Sequence, residues 1–114
     1  YGINRRVLIL GCTFKENCGD TRNSKSFDLV RDFHDYGFET YIYDPLAEVD
    51  GNFKANLNFI DSPKTDFYDI VVLAVPHDIF LQENYKKLRS YGTKKCVFAD
   101  LKSCFPKDFA DFQL

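Results

Sequence analysis

Four short apolar runs, separated by amphipathic or polar stretches, constrain the fold more than any other feature of this sequence. They are "VLIL" at 7–10, "FETYIY" at 38–43, "DIVVLAV" at 69–75 and "KKCVFA" at 94–99. Two of them are continuous and rich in β-branched residues, which is typical of strands buried on both faces. Helical spacing predicts helices over 24–36 and 78–91. The sequence therefore predicts an α/β fold, a Rossmann-like, doubly wound, mainly parallel sheet with helices on both faces.

Length and composition limit the chain to one domain and exclude some classes of partner. The 114 residues fit a single domain, 1–114, and the 45% that are hydrophobic suffice for a packed core. A formal net charge of −2 gives no electrostatic basis for binding nucleic acid or an anionic membrane. No apolar run approaches the roughly 20 residues that span a bilayer. Because the chain starts at Tyr1 and contains no methionine, we expect a segment of a longer protein.

The cysteines predict neither a metal site nor a catalytic site. Cys12, Cys18, Cys96 and Cys104 lack the paired spacing of a zinc site, and a disulfide framework suits a smaller secreted domain. We therefore expect reduced thiols in a cytoplasmic protein, with no metal ligand and no catalytic residue in this chain. A reactive pair between one of these thiols and His77 stays open as an alternative.

The segments that follow the predicted strands are where a binding site is expected. In a doubly wound sheet, ligands bind beyond the carboxyl ends of the strands, near the point where the strand order reverses. These segments are 11–24, 44–45, 76–78 and 100–104.

The first segment, "GCTFKENCGDTRNS" at 11–24, shares only its first glycine with a dinucleotide-binding loop. Neither the G-x-G-x-x-G pattern nor the P-loop pattern is present. Lys15 and Arg22, with the N-terminus of the following predicted helix, can together hold a nucleotide diphosphate. The alternative, equally favoured by the residues alone, is that both cations are solvated or pair with Glu16 and Asp20.

Three further polar residues follow the other strands. Asp44 stands where dinucleotide-binding folds carry a ribose-binding acid, but without the glycine pattern a turn role beside Pro45 is favoured. His77 can donate to a ligand, although a lone histidine at a strand end is more often structural or solvated. Lys102 follows the last strand and can reach the same cleft as Lys15.

Taken together, these segments resemble the UDP-glucose/GDP-mannose dehydrogenase family. The family pattern is roughly G-x-x-F-K-x-x-x-x-D-x-R-x-S, then a helix, then a strand that ends in D-P. The matching residues are Gly11, Phe14, Lys15, Asp20, Arg22, Ser24, Asp44 and Pro45. "DIVVLAVPHDIF" and "FADLKS" resemble later segments of the family. The likeness is greatest to the C-terminal, UDP-binding domain of members that oxidise UDP-N-acetyl-hexosamines, although Gly19 stands where many of these carry proline.

The resemblance implies roles for four residues. Phe14 and Lys15 match the Phe-Lys pair that lines the UDP-sugar site, so they inherit substrate binding. Arg22 matches the arginine that approaches NAD, a cofactor held mainly by another domain. Lys102 inherits a place near the sugar nucleotide, whereas His77 matches a family position without an assigned chemistry.

The resemblance also implies the reaction of a longer parent enzyme. That reaction is oxidation of the sugar C6 alcohol to a carboxylate, in two steps that consume two NAD, for polysaccharide precursor synthesis. The family's NAD loop and catalytic cysteine lie N-terminal to this domain, so the chain alone is expected to be inactive. Its expected partners are a UDP-sugar, the N-terminal NAD-binding and central domains, and further copies in a homo-oligomer. The alternative is a non-enzymatic Rossmann-like module that binds or senses a nucleotide.

Overall fold

The protein folds as a parallel sheet with short helices, seen in a computed structural model. The structure describes residues 5–13, 17, 19, 21, 25–48, 57–83, 85–102, 104–105 and 110–113. The strands are β1 (Arg6–Leu10), β2 (Glu39–Tyr43), β3 (Tyr68–Leu73), β4 (Gly92–Asp100) and β5 (Phe112–Gln113). The helices of the described segments are α1 (Lys25–Asp35), α2 (Asp78–Gln82) and α3 (Tyr85–Arg89).

The strand order is β2-β1-β3-β4-β5, and every described pair is parallel. β1 is an internal strand, because Val7 lies opposite Thr40 of β2 on one side and Ile70 of β3 on the other. The chain runs outward from β1 to β2 and then crosses back to β3, so the order reverses between β1 and β3. This topology confirms the predicted doubly wound sheet and places its switch point beside the segment that follows β1.

The sheet buries apolar side chains on both faces, as the continuous apolar strands predict. One face packs against α2 and α3 through Phe80 and Leu88, and its buried strand residues are Leu8, Leu10, Tyr68, Val71, Leu73 and Phe98. The other face packs against α1 through Val30, and its buried strand residues are Val7, Ile9, Ile42, Val72 and Ala99. Alternate residues of β1 and β3 therefore point to opposite cores.

The helix predicted over 78–91 is instead two short helices, α2 and α3. Glu83, which follows α2, has extended backbone angles, φ −72° and ψ 141°. Phe80 of α2 and Leu88 of α3 are both buried, whereas Ile79 is 40% exposed.

The described residues of the C-terminal tail, 105 and 110–113, pack back on the sheet. β5 extends the sheet beside β4, and Phe105 packs against the core of the α2 and α3 face. Asp111 fastens the tail, because its Oδ2 accepts hydrogen bonds from the Phe98 amide at 2.8 Å and from Arg89 at 2.9 Å. The hydrogen bond from the Phe98 amide, and then the contact with Arg89, hold the pKa of Asp111 below its usual value. Residues 57–60 contribute one parallel bridge, between Ile42 and Phe59.

Candidate functional site

Gly11 lets two strand-end segments approach each other. Its φ is +92°, and a Cβ there would lie 2.6 Å from the Val75 Cβ and 2.7 Å from the Val75 carbonyl oxygen. Its N–H donates to the carbonyl of Tyr43 at 3.0 Å. The glycine that opens the segment is therefore required for close backbone packing around the switch point.

Asp44 lies at the centre of a buried polar network. Its Oδ1 accepts the Leu46 N–H at 2.9 Å, which closes a turn, and its Oδ2 accepts the Cys12 N–H at 2.8 Å. Oδ2 also lies 2.9 Å from Nε2 of His77, and both side chains are fully buried. The predicted turn role of Asp44 is confirmed. Its burial and these three contacts leave no oxygen facing a ligand, so the alternative of a ribose-binding acid is wrong.

The hydrogen bonds of His77 define its tautomer. The Asn17 N–H donates to Nδ1 at 2.8 Å, so Nδ1 carries no proton, and the neutral ring then carries its proton on Nε2 and donates it to Asp44. Oγ1 of Thr13 lies 3.3 Å from the same Nε2. His77 is therefore a buried structural histidine, one of the alternatives weighed from the sequence, and it links the segments after β1, β2 and β3.

Thr13, His77 and Asp44 do not form a catalytic triad, although they bring together a hydroxyl, an imidazole and a carboxylate. In a triad the hydroxyl and the carboxylate engage opposite ring nitrogens, so that one nitrogen can take the hydroxyl proton while the carboxylate orients the ring through the other N–H. Here both lie at Nε2, and Nδ1 is occupied by a backbone amide. All three residues are at most 9% exposed. This geometry can hold a loop in place but cannot activate a nucleophile.

The second half of the same loop is tied to the segment after β2. The carbonyl of Gly19 accepts the Glu48 N–H at 2.8 Å, and the Thr21 hydroxyl donates to the Glu48 carbonyl at 3.1 Å. Side-chain atoms of Glu48 occupy the space where a Cβ on Gly19 would lie. The described residues of the loop are thus bound to the segments that follow the two neighbouring strands.

Of the four residues predicted to bind ligands, three belong to the loop after β1 and one follows β4. Phe14, Lys15 and Arg22 lie outside the described residues, so their roles stay predictions. Lys102 is exposed at the carboxyl end of β4, on the predicted edge of the sheet, and its role also stays a prediction. Sequence reasoning missed Asn17, whose contribution depends on contacts with residues 60 positions away and has no local signal.

A second buried carboxylate, Asp100, ends β4. Its Oδ2 accepts the Phe105 N–H at 2.8 Å and the side-chain amide of Gln113 at 3.0 Å. Its Oδ1 is buried and has no hydrogen-bond partner among the described residues. Asp100 therefore holds Phe105 and Gln113 of the tail through hydrogen bonds to a single oxygen, Oδ2.

Thiol and metal chemistry find little support in the described segments. Cys12 and Cys96 are buried and Cys104 is exposed, while Cys18 lies outside the described residues. Burial raises the pKa of the Cys96 thiol, which keeps it protonated and unreactive. Both nitrogens of His77 are engaged as described above, which disfavours the reactive Cys–His pair. No cluster of metal-ligating side chains, and no helix long and apolar enough to cross a bilayer, occurs in the part of the chain that the structure describes.

Comparison with curated proteins finds dehydrogenases of nucleotide sugars. The chain is 34% identical over 110 residues to UDP-N-acetyl-D-glucosamine 6-dehydrogenase of Pseudomonas aeruginosa, a match that covers 96% of this chain and 26% of that protein. It is 32% identical over 89 residues to UDP-N-acetyl-D-mannosamine dehydrogenase of Methanocaldococcus jannaschii, covering 78% of this chain and 20% of that protein. These names do not favour the alternative of a non-enzymatic module.

Solved structures share the fold. A UDP-D-ManNAc dehydrogenase from Pyrococcus horikoshii superposes with a TM-score of 0.69 at 20% identity, over 96% of this chain and 25% of that one. The UDP-N-acetyl-mannosamine dehydrogenase Cap5O from Staphylococcus aureus superposes with a TM-score of 0.65 at 20% identity, with the same coverage.

The sequence profile of a single family covers most of the chain. The profile described as "UDP-glucose/GDP-mannose dehydrogenase family, UDP binding domain" matches residues 8–107. The chain spans about a quarter of the length of the relatives it matches. The resemblance seen in the strand-end segments is therefore confirmed, and the chain belongs to the UDP-glucose/GDP-mannose dehydrogenase family, as a copy of its UDP binding domain.

Proposed function

We propose that this chain, residues 1–114, is the UDP-sugar-binding domain of an NAD-dependent nucleotide-sugar 6-dehydrogenase. The parent enzyme oxidises the C6 alcohol of the sugar to a carboxylate, for polysaccharide precursor synthesis. The observation that carries the proposal is the loop after β1, which is anchored at the switch point of the sheet and bears the family's Phe-Lys and D-x-R-x-S residues. Three of the curated relatives are named as dehydrogenases of UDP-N-acetyl-hexosamines, which favours a sugar of that class.

Four residues carry the proposed binding. Lys15 and Lys102 supply positive charge for the diphosphate, and Phe14 packs against the sugar nucleotide. Arg22 faces the cofactor. Binding energy from the nucleotide, which does not react, holds the sugar in place for chemistry performed by residues of another domain.

NAD, which accepts the hydride, is held in this proposal mainly by an N-terminal domain. The other proposed partners are a central domain and further copies of the parent in a homo-oligomer in the cytoplasm. We expect no turnover by this chain alone.

Calorimetric titration of the chain with UDP tests the proposal. We expect Lys15→Ala to weaken UDP binding about tenfold, since it removes a charge-assisted contact to phosphate. Lys86→Ala is the matched control, because Lys86 is exposed on α3, away from the strand-end loops, and it should change the affinity by less than about twofold. Absence of UDP binding by the unmodified chain, or equal effects of the two substitutions, would contradict the proposal.

A further inference from the structure

We propose that His77 is a positioning residue for the UDP-sugar site, because it holds Thr13 and Asn17, the residues that flank Phe14 and Lys15 in the sequence. The inference rests on the proposed function of that loop. His77 does not contact the ligand in this account, since its side chain is fully buried. It acts through the backbone of Asn17, whose N–H it accepts.

Two contacts of His77 bracket the binding segment. Oγ1 of Thr13 lies 3.3 Å from Nε2 of His77, and the Asn17 N–H lies 2.8 Å from Nδ1. Thr13 and Asn17, which flank Phe14 and Lys15 in the sequence, therefore both contact the same buried imidazole ring.

Asn17 is itself held in an unusual conformation. Its φ is +60°, in the left-handed region that L-residues other than asparagine and glycine rarely adopt. Two hydrogen bonds stabilise it there, one from its N–H to His77 and one from the Asp78 N–H to its side-chain oxygen at 2.8 Å. The conformation of Asn17 thus depends on contacts with His77 and Asp78, which follow β3.

Asp44 enables Nδ1 of His77 to accept the hydrogen bond from Asn17. Its Oδ2 takes the Nε2 proton of His77, which leaves Nδ1 with a lone pair for the Asn17 N–H. Without the carboxylate, the ring could carry its proton on Nδ1, where it would oppose the amide proton of Asn17. The carboxylate and the imidazole therefore act as one unit that orients the loop.

Two substitutions of His77 separate its two hydrogen bonds. In His77→Asn the side-chain oxygen lies near the former Nδ1 position and can still accept from Asn17. In His77→Gln the side-chain amide lies near the former Nε2 position and can donate to Asp44, but Asn17 loses its acceptor. Both variants remove the ring, so they are matched for lost packing, and only the loop contact differs.

The test is UDP affinity together with hydrogen exchange of the Asn17 amide, measured on this chain. We expect His77→Gln to weaken UDP binding about tenfold and to speed Asn17 exchange, and His77→Asn to change affinity by less than about threefold. Equal affinities and equal exchange in the two variants would overturn the inference. If the unmodified chain bound no UDP, the proposed function would fail, while the exchange comparison would still decide whether His77 holds the loop.

Discussion

Asp44 and Asp100 are both buried carboxylates that follow parallel strands, but their surroundings differ. Asp44 accepts on both oxygens, from Cys12, Leu46 and His77, and so joins three strand ends. Asp100 accepts on Oδ2 only, from two residues of the tail, while its Oδ1 has no partner among the described residues.

The difference shows that the hydrogen bonds around Asp44 restrict the conformation of the neighbouring loops more than those around Asp100 restrict the tail. Burial of a carboxylate is unfavourable unless hydrogen bonds replace the water it loses. The network of Asp44 supplies donors on every side, two of them rigid backbone amides, so it specifies one arrangement of the loops around the switch point. The surroundings of Asp100 specify the tail less strictly.

Substitution of Gly11 should have the largest effect on stability. The loops around Asp44 can approach each other closely only because position 11 is a glycine. Gly11→Ala should lower the free energy of unfolding by about 3 to 4 kcal/mol, because it combines left-handed strain with overlap against Val75. Gly37→Ala is the matched control, since its φ is +90° but its added Cβ meets nothing within 4 Å, and it should cost about 1 kcal/mol. Urea denaturation measures both, and similar losses would mean that Val75 does not crowd Gly11.

A smaller effect comes from replacing each carboxylate by its amide. In Asp44→Asn the new NH₂ must face the N–H of either Cys12 or Leu46, so we expect a loss of about 2 kcal/mol in unfolding free energy. In Asp100→Asn the NH₂ can occupy the place of the unpartnered Oδ1, and the remaining oxygen keeps both acceptor contacts. That variant should change stability by less than about 0.5 kcal/mol. Equal losses in urea denaturation would remove the distinction between the two sites.

Much of the fold follows from local sequence, but the anchoring of the loop does not. Strands such as 7–10 are recognisable because burial on both faces leaves a continuous apolar run, and topology then brings their carboxyl ends to one edge. Asp44 and His77 are candidates for that reason alone. Which nitrogen of His77 is protonated depends on contacts between segments far apart in the chain, so no local pattern encodes it.

Other features depended on tertiary context in the same way. Extended backbone angles at Glu83 divide the predicted helix over 78–91, and the helical spacing of the apolar residues gives no sign of that break. The left-handed Asn17 and the half-satisfied Asp100 are likewise set by distant partners. The binding roles of Phe14 and Lys15 came from the family resemblance, because a lysine in a loop is by itself equally compatible with solvation.

The central claim is that His77 is held as an acceptor for the loop, and the ring nitrogens of His77 test it most directly. A long-range ¹H–¹⁵N spectrum of this chain at neutral pH should show a bare Nδ1 and a protonated Nε2 for His77. The other histidine of the chain, His34, has a side chain that is 79% exposed and provides an internal reference for a solvated ring. A proton on Nδ1 of His77, or the averaged signals of a freely exchanging ring, would contradict the account.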